Sequence, residues 1–232
     1  MKQIITYYLL FLLPLFGYSQ ADSLQFSNAI RINFAKYKQE SETAYRTGDT
    51  ERGQYLFDSL VQNRLKGTYF DEFKFKKVHG GKFKLEKITK PVVLITYASW
   101  CIPGTGEIPA INKLAQKYRK EVQYVVVFWD RRHEMKKMAG KFSHNVIVCY
   151  AHESYRNDAP IVASLKHTLG FPTAFYLDDQ HRVVDIERCG GGISLKKTQY
   201  QKGYALNYNK YLEGLHGLLM NFELKKEMLA VK

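Results

Sequence analysis

One sulfur stands out in this sequence as a candidate reactive group. Cys101 lies in the run Trp100-Cys101-Ile102-Pro103, where an apolar, β-rich stretch gives way to a helical pattern. A cysteine in the first turn of a helix meets unpaired backbone N–H groups and the positive end of the helix dipole, and both favour a thiolate. The dipole contributes about 0.3 to 1 kcal/mol, which lowers a thiol pKa by roughly one unit or less. We therefore predict a moderately activated nucleophile at Cys101, with a small buried core cysteine as the alternative.

Position 104 limits the chemistry open to this thiol. A protein that cycles between a dithiol and a disulfide in such a motif carries a second cysteine three residues after the first. Here that residue is Gly104. The two-thiol cycle cannot run through this position, so any exchange must proceed from one nucleophile.

Strand and helix patterns alternate around Cys101. Strands are predicted at residues 91–98, 122–129, 145–150, 172–177 and 183–186, the last two as a hairpin. Helices are predicted at residues 22–67 with a break at 47–50, and at 103–118, 131–142, 158–169 and about 208–228. Strand-helix-strand units closed by a hairpin and a last helix predict an α/β sandwich, with a central mixed sheet flanked by helices.

Two motifs make this pattern specific. Trp100, Cys101, Glu107 and Pro109 match the active segment Trp-Cys-x-x-Cys-x-x-Glu-x-Pro in register, except at Gly104. The run Gly170-Phe171-Pro172-Thr173 is similar to a cis-proline loop at the start of a strand. From about Lys74 to the last helix the chain resembles the thioredoxin superfamily, in particular its exported TlpA/ResA-like thiol-disulfide oxidoreductases.

The resemblance implies a substrate-binding surface beside Cys101. A cis bond before Pro172 exposes the backbone of Phe171 as an edge to which an extended substrate segment can hydrogen-bond. Thr173 would begin the strand, and an ordinary trans proline at an edge strand is the alternative. The predicted substrate-binding residues are Trp100, Pro103, Phe171, Pro172 and Thr173.

The other two cysteines receive different interpretations. In the family that this chain resembles, the turn after the last hairpin strand borders the active site, and here that turn begins with Arg188 and Cys189. Cys189 is therefore a candidate second catalytic residue that would resolve a mixed disulfide at Cys101, provided their Cα atoms lie within about 7 Å. The alternative is an incidental thiol on a glycine-rich turn. Cys149 lies within an apolar strand pattern and is predicted to be a core residue.

Other chemistries find little support. A peroxiredoxin-like peroxidase would need a proline and a threonine or serine where this chain has Leu94 and Ala98. Cys149 and His152 are the only close cysteine and histidine pair, so we predict no metal site and no cofactor. Ile95 takes the place where many thioredoxins bury an acid, which argues against a carboxylate proton relay.

The N-terminus and the charge bear on location and partners. Lys2, an apolar run over residues 4–16 and small residues at 17–19 form the pattern of a cleaved secretory signal, with an uncleaved membrane anchor as the alternative. We expect a periplasmic or secreted protein in an oxidising compartment.

The net charge is +13, and residues 74–90 hold seven lysines against Glu86. This stretch is predicted to be a hairpin with a solvated basic face, which would suit an acidic partner or an anionic membrane surface. Export argues against nucleic acid.

These inferences leave two functional hypotheses. The first is exported thiol-disulfide exchange through Cys101, with protein thiols and disulfides of the cell envelope as partners and with resolution by an external thiol or Cys189. The second is a degenerate thioredoxin-fold module that holds a partner segment at the proline loop without redox turnover. The predicted layout is a signal peptide at 1–19, a helical extension at 20–67 and a thioredoxin-like domain at 68–232.

Overall fold

The computed structural model describes residues 24–189 and 199–230. The predicted signal at 1–19 therefore lies outside the described residues. So do the glycines at 190–192 that follow Cys189.

Two helices precede the sheet. Helix α1 is Phe26–Arg46 and helix α2 is Thr50–Leu60, which continues as a π-helical turn over Val61–Leu65. The predicted break between them is confirmed. Asp49 caps α2, because its side chain accepts a hydrogen bond of 2.8 Å from the backbone N–H of Arg52.

Seven strands form one mixed sheet. They are β1 (Lys74–Lys77), β2 (Lys82–Lys84), β3 (Val92–Tyr97), β4 (Gln123–Phe128), β5 (Val146–Tyr150), β6 (Thr173–Leu177) and β7 (Val183–Arg188). The order across the sheet is β2-β1-β5-β4-β3-β6-β7. Strand β4 is parallel to β3 and β5, and the remaining pairs are antiparallel. This arrangement confirms the predicted α/β sandwich.

Helices cover both faces of the sheet. Helix α3 is Glu107–Lys117, α4 is Arg132–Ala139, α5 is Ala159–Ile161 followed by a π-helical turn over Val162–Lys166, and α6 is Tyr200–Ala230. Side chains alternate between the faces along each strand. On β3, Leu94 packs in the cluster that contains α1, α2 and α5. Its neighbours Val93 and Ile95 pack in the cluster that contains α3, α4 and α6.

The lysine-rich segment folds as predicted. Phe75 on β1 lies opposite Phe83 on β2, and both are buried while the flanking lysines are more exposed. Gly80 and Gly81 make the turn with φ angles of 92° and 76°, which a residue with a side chain rarely adopts.

Two helix starts near Cys101 differ from the sequence predictions, and the helices predicted at 131–142 and 158–169 are shorter than predicted. Helix α3 starts at Glu107 rather than at residue 103, because Gly106 holds a left-handed conformation with φ 76°. Helix α6 starts at Tyr200, eight residues before the predicted start. Both differences change the surroundings of Cys101.

Candidate active site

The loop that carries Cys101 connects β3 to α3. The backbone N–H of Cys101 donates to the carbonyl of Ala98 over 3.0 Å, which closes a tight turn at the end of β3. Helix α3 begins six residues after Cys101. The prediction that Cys101 occupies the first turn of a helix is therefore wrong, and the helix dipole, which acts within the first turn, does not reach this thiol.

The surroundings of Cys101 favour the neutral thiol. Burial raises the pKa of Cys101, and the nearby carboxylates of Asp130 and Glu107 raise it further. A backbone hydrogen bond at Ala98 acts in the opposite direction. The predicted lowering of this pKa is thus wrong. A thiol of this kind needs alkaline conditions, or a change of surroundings on substrate binding, to become a good nucleophile.

Asp130, which lies just after β4, holds the Cys101 loop in place. One of its carboxylate oxygens accepts from the backbone N–H of Ser99 over 2.7 Å, and the other accepts from the Ser99 hydroxyl over 2.6 Å. Asp130 is 5% exposed. Two charge-assisted hydrogen bonds from Ser99 to this nearly buried carboxylate hold the backbone just before Trp100 and Cys101.

Most of the predicted substrate-binding residues lie together. Trp100 packs edge-on against Phe171 with ring centroids 5.3 Å apart, although its side chain is 72% exposed. The Phe171–Pro172 peptide bond is cis. Thr173 begins β6, and its backbone N–H donates to the Thr96 hydroxyl over 3.2 Å. Ile102 is 86% exposed. The Cys101 loop and residues 170–173, here called the proline segment, therefore present an apolar surface beside the sulfur.

Pro103 lies on another side of the loop. It is half-buried and lines a cavity of about 370 Å³ with Gly104, Glu107 and Pro109.

Cys189 lies against the proline segment but faces inward. Its backbone N–H donates to the Pro172 carbonyl over 2.8 Å, which places the residue where the sequence predicted it. Its side chain is buried, and its thiol donates to the Glu187 carbonyl over 3.6 Å. Burial raises its pKa to about 12. Cys101, Cys149 and Cys189 are all free thiols, and Cys149 is buried as predicted.

The space beside Gly104 is filled from two directions. A Cβ at this position would lie 3.3 Å from the amide nitrogen of Asn207 and 3.3 Å from a carboxylate oxygen of Glu107. Asn207 comes from α6 and donates to the carbonyls of Thr105 and Gly203 over 3.0 and 2.9 Å. The sequence pattern predicts the start of α6 at about residue 208, so it gives no indication of Asn207.

A buried carboxylate stands at the site. Glu107 is 0% exposed, and one oxygen accepts from the backbone N–H of Gly104 over 2.7 Å. The other accepts from the hydroxyl of Tyr211 on α6 over 2.8 Å. Ile95 gives no indication of this acid because Glu107 enters from α3, within the motif that also contains Trp100 and Cys101.

A metal site and a membrane-spanning helix each place requirements on the described residues. Over residues 24–189 and 199–230, no group of three or more His, Cys, Asp or Glu residues is arranged to hold a metal ion. Within the same residues, none of the helices combines the length and the apolar character that crossing a bilayer requires.

Comparison with known proteins decides the family. The model of the AhpC/TSA family matches residues 67–186, more than half of the chain. The protein belongs to the AhpC/TSA family. The match runs from before β1 into β7 and includes both the Cys101 loop and the proline segment.

The names of individual relatives refer to a thioredoxin-like protein or to thiol-disulfide chemistry. The chain is 27% identical over 143 residues to the thioredoxin-like protein YneN of Bacillus subtilis, covering 59% of this chain and 77% of that protein. It is 37% identical over 68 residues to the thiol:disulfide interchange protein DsbE of Pseudomonas fluorescens, covering 28% of this chain and 38% of that protein. The thioredoxin domain of a thiol-disulfide oxidoreductase from Bacteroides vulgatus superimposes with a TM-score of 0.45 at 19% identity, covering 64% of this chain and 96% of that chain.

Proposed function

We propose that this protein is an exported TlpA/ResA-like thiol-disulfide oxidoreductase that works from one nucleophile, Cys101. The observation that carries the proposal is the contrast between its thiols. Cys101 is half-buried on a loop beside the apolar surface of Trp100 and Phe171, whereas Cys149 and Cys189 are buried. The relatives named as a thioredoxin-like protein and a thiol:disulfide interchange protein support the reaction class.

The proposed cycle uses two external thiols. The Cys101 thiolate attacks one sulfur of a substrate disulfide, forms a mixed disulfide and releases the other substrate sulfur as a thiolate. A first external thiolate attacks Cys101 Sγ and releases the reduced substrate. A second attacks the external sulfur, which frees Cys101 and leaves an external disulfide. The substrate gains the two electrons that the two external thiols lose.

Resolution by an external thiol is favoured over resolution by Cys189. An attacking thiol must be ionised, and burial raises the pKa of Cys189 to about 12. Its sulfur also lies in the apolar cluster with Tyr97 and Tyr211. Cys189 would have to leave this packing before it reached a mixed disulfide at Cys101.

Trapping the mixed disulfide tests the proposal. The reduced protein is mixed with a peptide disulfide, quenched with acid and analysed by mass spectrometry. We expect an adduct at Cys101 that Cys101→Ser abolishes and Cys189→Ser preserves, together with turnover by added glutathione in the Cys189→Ser variant. An adduct at another cysteine, or turnover that needs Cys189, would contradict the single-nucleophile cycle.

Two observations favour the second candidate function, a binding module. The pKa of Cys101 is raised, and the place of a second thiol is filled by Asn207 and Glu107. Under this alternative, the Cys101→Ser variant still binds a partner segment. The native protein then shows no disulfide exchange.

The proposed compartment is the periplasm or the exterior, on the basis of the signal pattern at residues 1–19. Mass spectrometry of the protein from an envelope fraction tests it, with a mature N-terminus near residue 20 as the expected result.

The basic stretch at 74–90 stays a prediction for an acidic partner or an anionic membrane. The ammonium of Lys76 does not contribute freely to it, because both oxygens of Asp158 accept from it over 2.9 Å.

A further inference from the structure

A large groove lies apart from the thiol site, between the β1–β2 turn and α4. Its volume is about 790 Å³. None of the residues predicted for catalysis or substrate binding lines it. Its size lies within the range of about 300 to 1,000 Å³ that small-molecule sites occupy.

Basic side chains surround this groove. Lys77 enters from β1, and Arg132 and Lys136 enter from α4. His79 and His144 add two imidazoles. No aspartate or glutamate occurs among the described residues that line it. Lysine and arginine side chains of one sign around a concave surface focus a positive potential inside it, which attracts anions.

The floor of the groove is apolar. It includes Val78 at the turn, Phe142 after α4, and Val146 and Val148 on β5. A bare inorganic anion would leave this floor uncovered, and an uncharged apolar molecule would leave the cations without partners. The lining therefore fits a ligand with both an anionic group and an apolar body.

Hydrogen bonds connect the elements that line the groove. Nε and Nη2 of Arg132 donate to the Val78 carbonyl over 3.2 and 3.0 Å, and the Val78 N–H donates to the Val148 carbonyl over 3.0 Å. These contacts tie the turn to both α4 and β5. The hydroxyl of Ser143, another lining residue, is buried and has no hydrogen-bond partner within the part of the chain that the structure describes.

We propose that this groove binds an amphipathic organic anion, with its apolar body on the floor and its carboxylate, phosphate or sulfonate between Lys77, Arg132 and Lys136. The site is independent of the thiol chemistry. It adds a binding function to the proposed redox function.

Two fluorescent probes that differ by one sulfonate test the proposal. Anilinonaphthalene sulfonate and the uncharged N-phenylnaphthylamine are titrated against the full protein at fixed ionic strength. We expect the sulfonate to bind at least about tenfold more tightly than the amine, equivalent to 1.4 kcal/mol. We expect inorganic sulfate to displace it no better than chloride of equal ionic strength.

Charge-matched variants separate the groove from the general basic character of the chain. Lys77→Gln/Arg132→Gln/Lys136→Gln should lose at least about tenfold in affinity for the sulfonate. Arg119→Gln/Lys120→Gln/Lys137→Gln removes the same residue types from exposed positions outside the groove and should lose less than about twofold. Lys77→Gln/Lys136→Gln leaves the Arg132 contacts intact and should lose affinity with an unchanged melting temperature.

Three results would overturn the proposal. They are equal binding of the two probes, equal losses in the two triple variants, and displacement by sulfate alone. The rate of disulfide exchange at Cys101 should be the same in all these variants, so the outcome is independent of the proposed redox function.

Discussion

Asn207 occupies the space beside Gly104 that a second active-site thiol would need. The amide nitrogen of Asn207 lies 3.3 Å from the position of a Cβ on residue 104. A side chain from another helix, more than a hundred residues away in the chain, therefore fills the place that the second thiol would take. This pairing explains why the loop is well packed without a dithiol.

Restoring the missing cysteine should destabilise the protein. Gly104→Cys brings a side chain against Asn207 and Glu107, and overpacking of this kind costs about 1 to 3 kcal/mol. Urea unfolding of Gly104→Cys, Asn207→Ala and the double variant measures the coupling between the two positions. We expect Asn207→Ala to recover part of the loss, by roughly 0.5 kcal/mol or more. Additive effects would show that Asn207 does not limit residue 104.

The hydroxyl of Tyr211 should contribute measurably to stability. It donates to the buried carboxylate of Glu107, and removing one partner of such a bond costs about 1 to 3 kcal/mol. Tyr211→Phe should therefore lower the free energy of unfolding by this amount. Tyr124→Phe is the matched control, because the buried Tyr124 hydroxyl has no hydrogen-bond partner within the described residues. Equal effects in the two variants would contradict the role assigned to the Glu107 contact.

Glu187 should make stability depend on pH near neutrality. Burial first, and then the charge of Asp185, raise its pKa to about 7. A carboxyl whose folded pKa is raised contributes stability below its unfolded pKa of about 4.3 and loses that contribution as pH rises through about 7. We expect Glu187→Gln to flatten the fall in unfolding free energy between about pH 5 and pH 8, measured by urea denaturation. An unchanged slope would show that Glu187 ionises normally.

We expect Arg188 to hold the N-terminal helices against the residue just before the proline segment. Its guanidinium donates to the hydroxyls of Tyr37 and Tyr45 over 2.5 and 2.7 Å and to the Leu169 carbonyl over 3.2 Å. Arg188→Lys keeps the charge but cannot make all three contacts, and we expect a loss of about 2 kcal/mol.

Hydrogen exchange locates this loss. Amides of α1 and α2 should exchange faster in Arg188→Lys, whereas Arg64→Lys at an exposed position on the same extension should leave them unchanged. Unchanged protection of both helices in Arg188→Lys would show that other contacts hold the extension.

Local sequence patterns were sufficient to predict the strands of the sheet and most of the helices. The continuous apolar run of β3, whose residues are all buried, and the Asp49 cap of α2 are local properties of the chain, so the sequence could predict them. The start of α3 could not be predicted in this way. It depends on the left-handed Gly106, where a Cβ would lie 2.6 Å from Cα of Tyr204 on α6.

The chemical surroundings of Cys101 depend on the same long-range packing. Glu107 and Asp130 approach the thiol from two different elements, and no spacing near Cys101 indicates Asp130. The contact of Arg188 with Tyr37 joins residues 151 positions apart. Such pairs follow from how helices and strands pack, which a single sequence does not reveal.

The charge of Asp130 should slow the chemistry of Cys101. Its carboxylate is one cause of the raised Cys101 pKa, after burial. Asp130→Asn keeps an acceptor for Ser99 but removes the charge, so the pH profile of Cys101 alkylation should shift to lower pH. Ser99→Ala, which removes one contact of Asp130 but leaves its charge, should not shift the profile downward. A matching downward shift in both variants would assign the effect to loop geometry.

Site-resolved alkylation of the reduced, native protein tests the central claim most directly. Iodoacetamide is applied at about pH 8, and the modified cysteines are identified by mass spectrometry against a sample unfolded in guanidinium. We expect modification at Cys101 with Cys149 and Cys189 protected, and modification of all three cysteines after unfolding. Protection of Cys101 in the native protein, or modification of Cys189 as fast as Cys101, would contradict it.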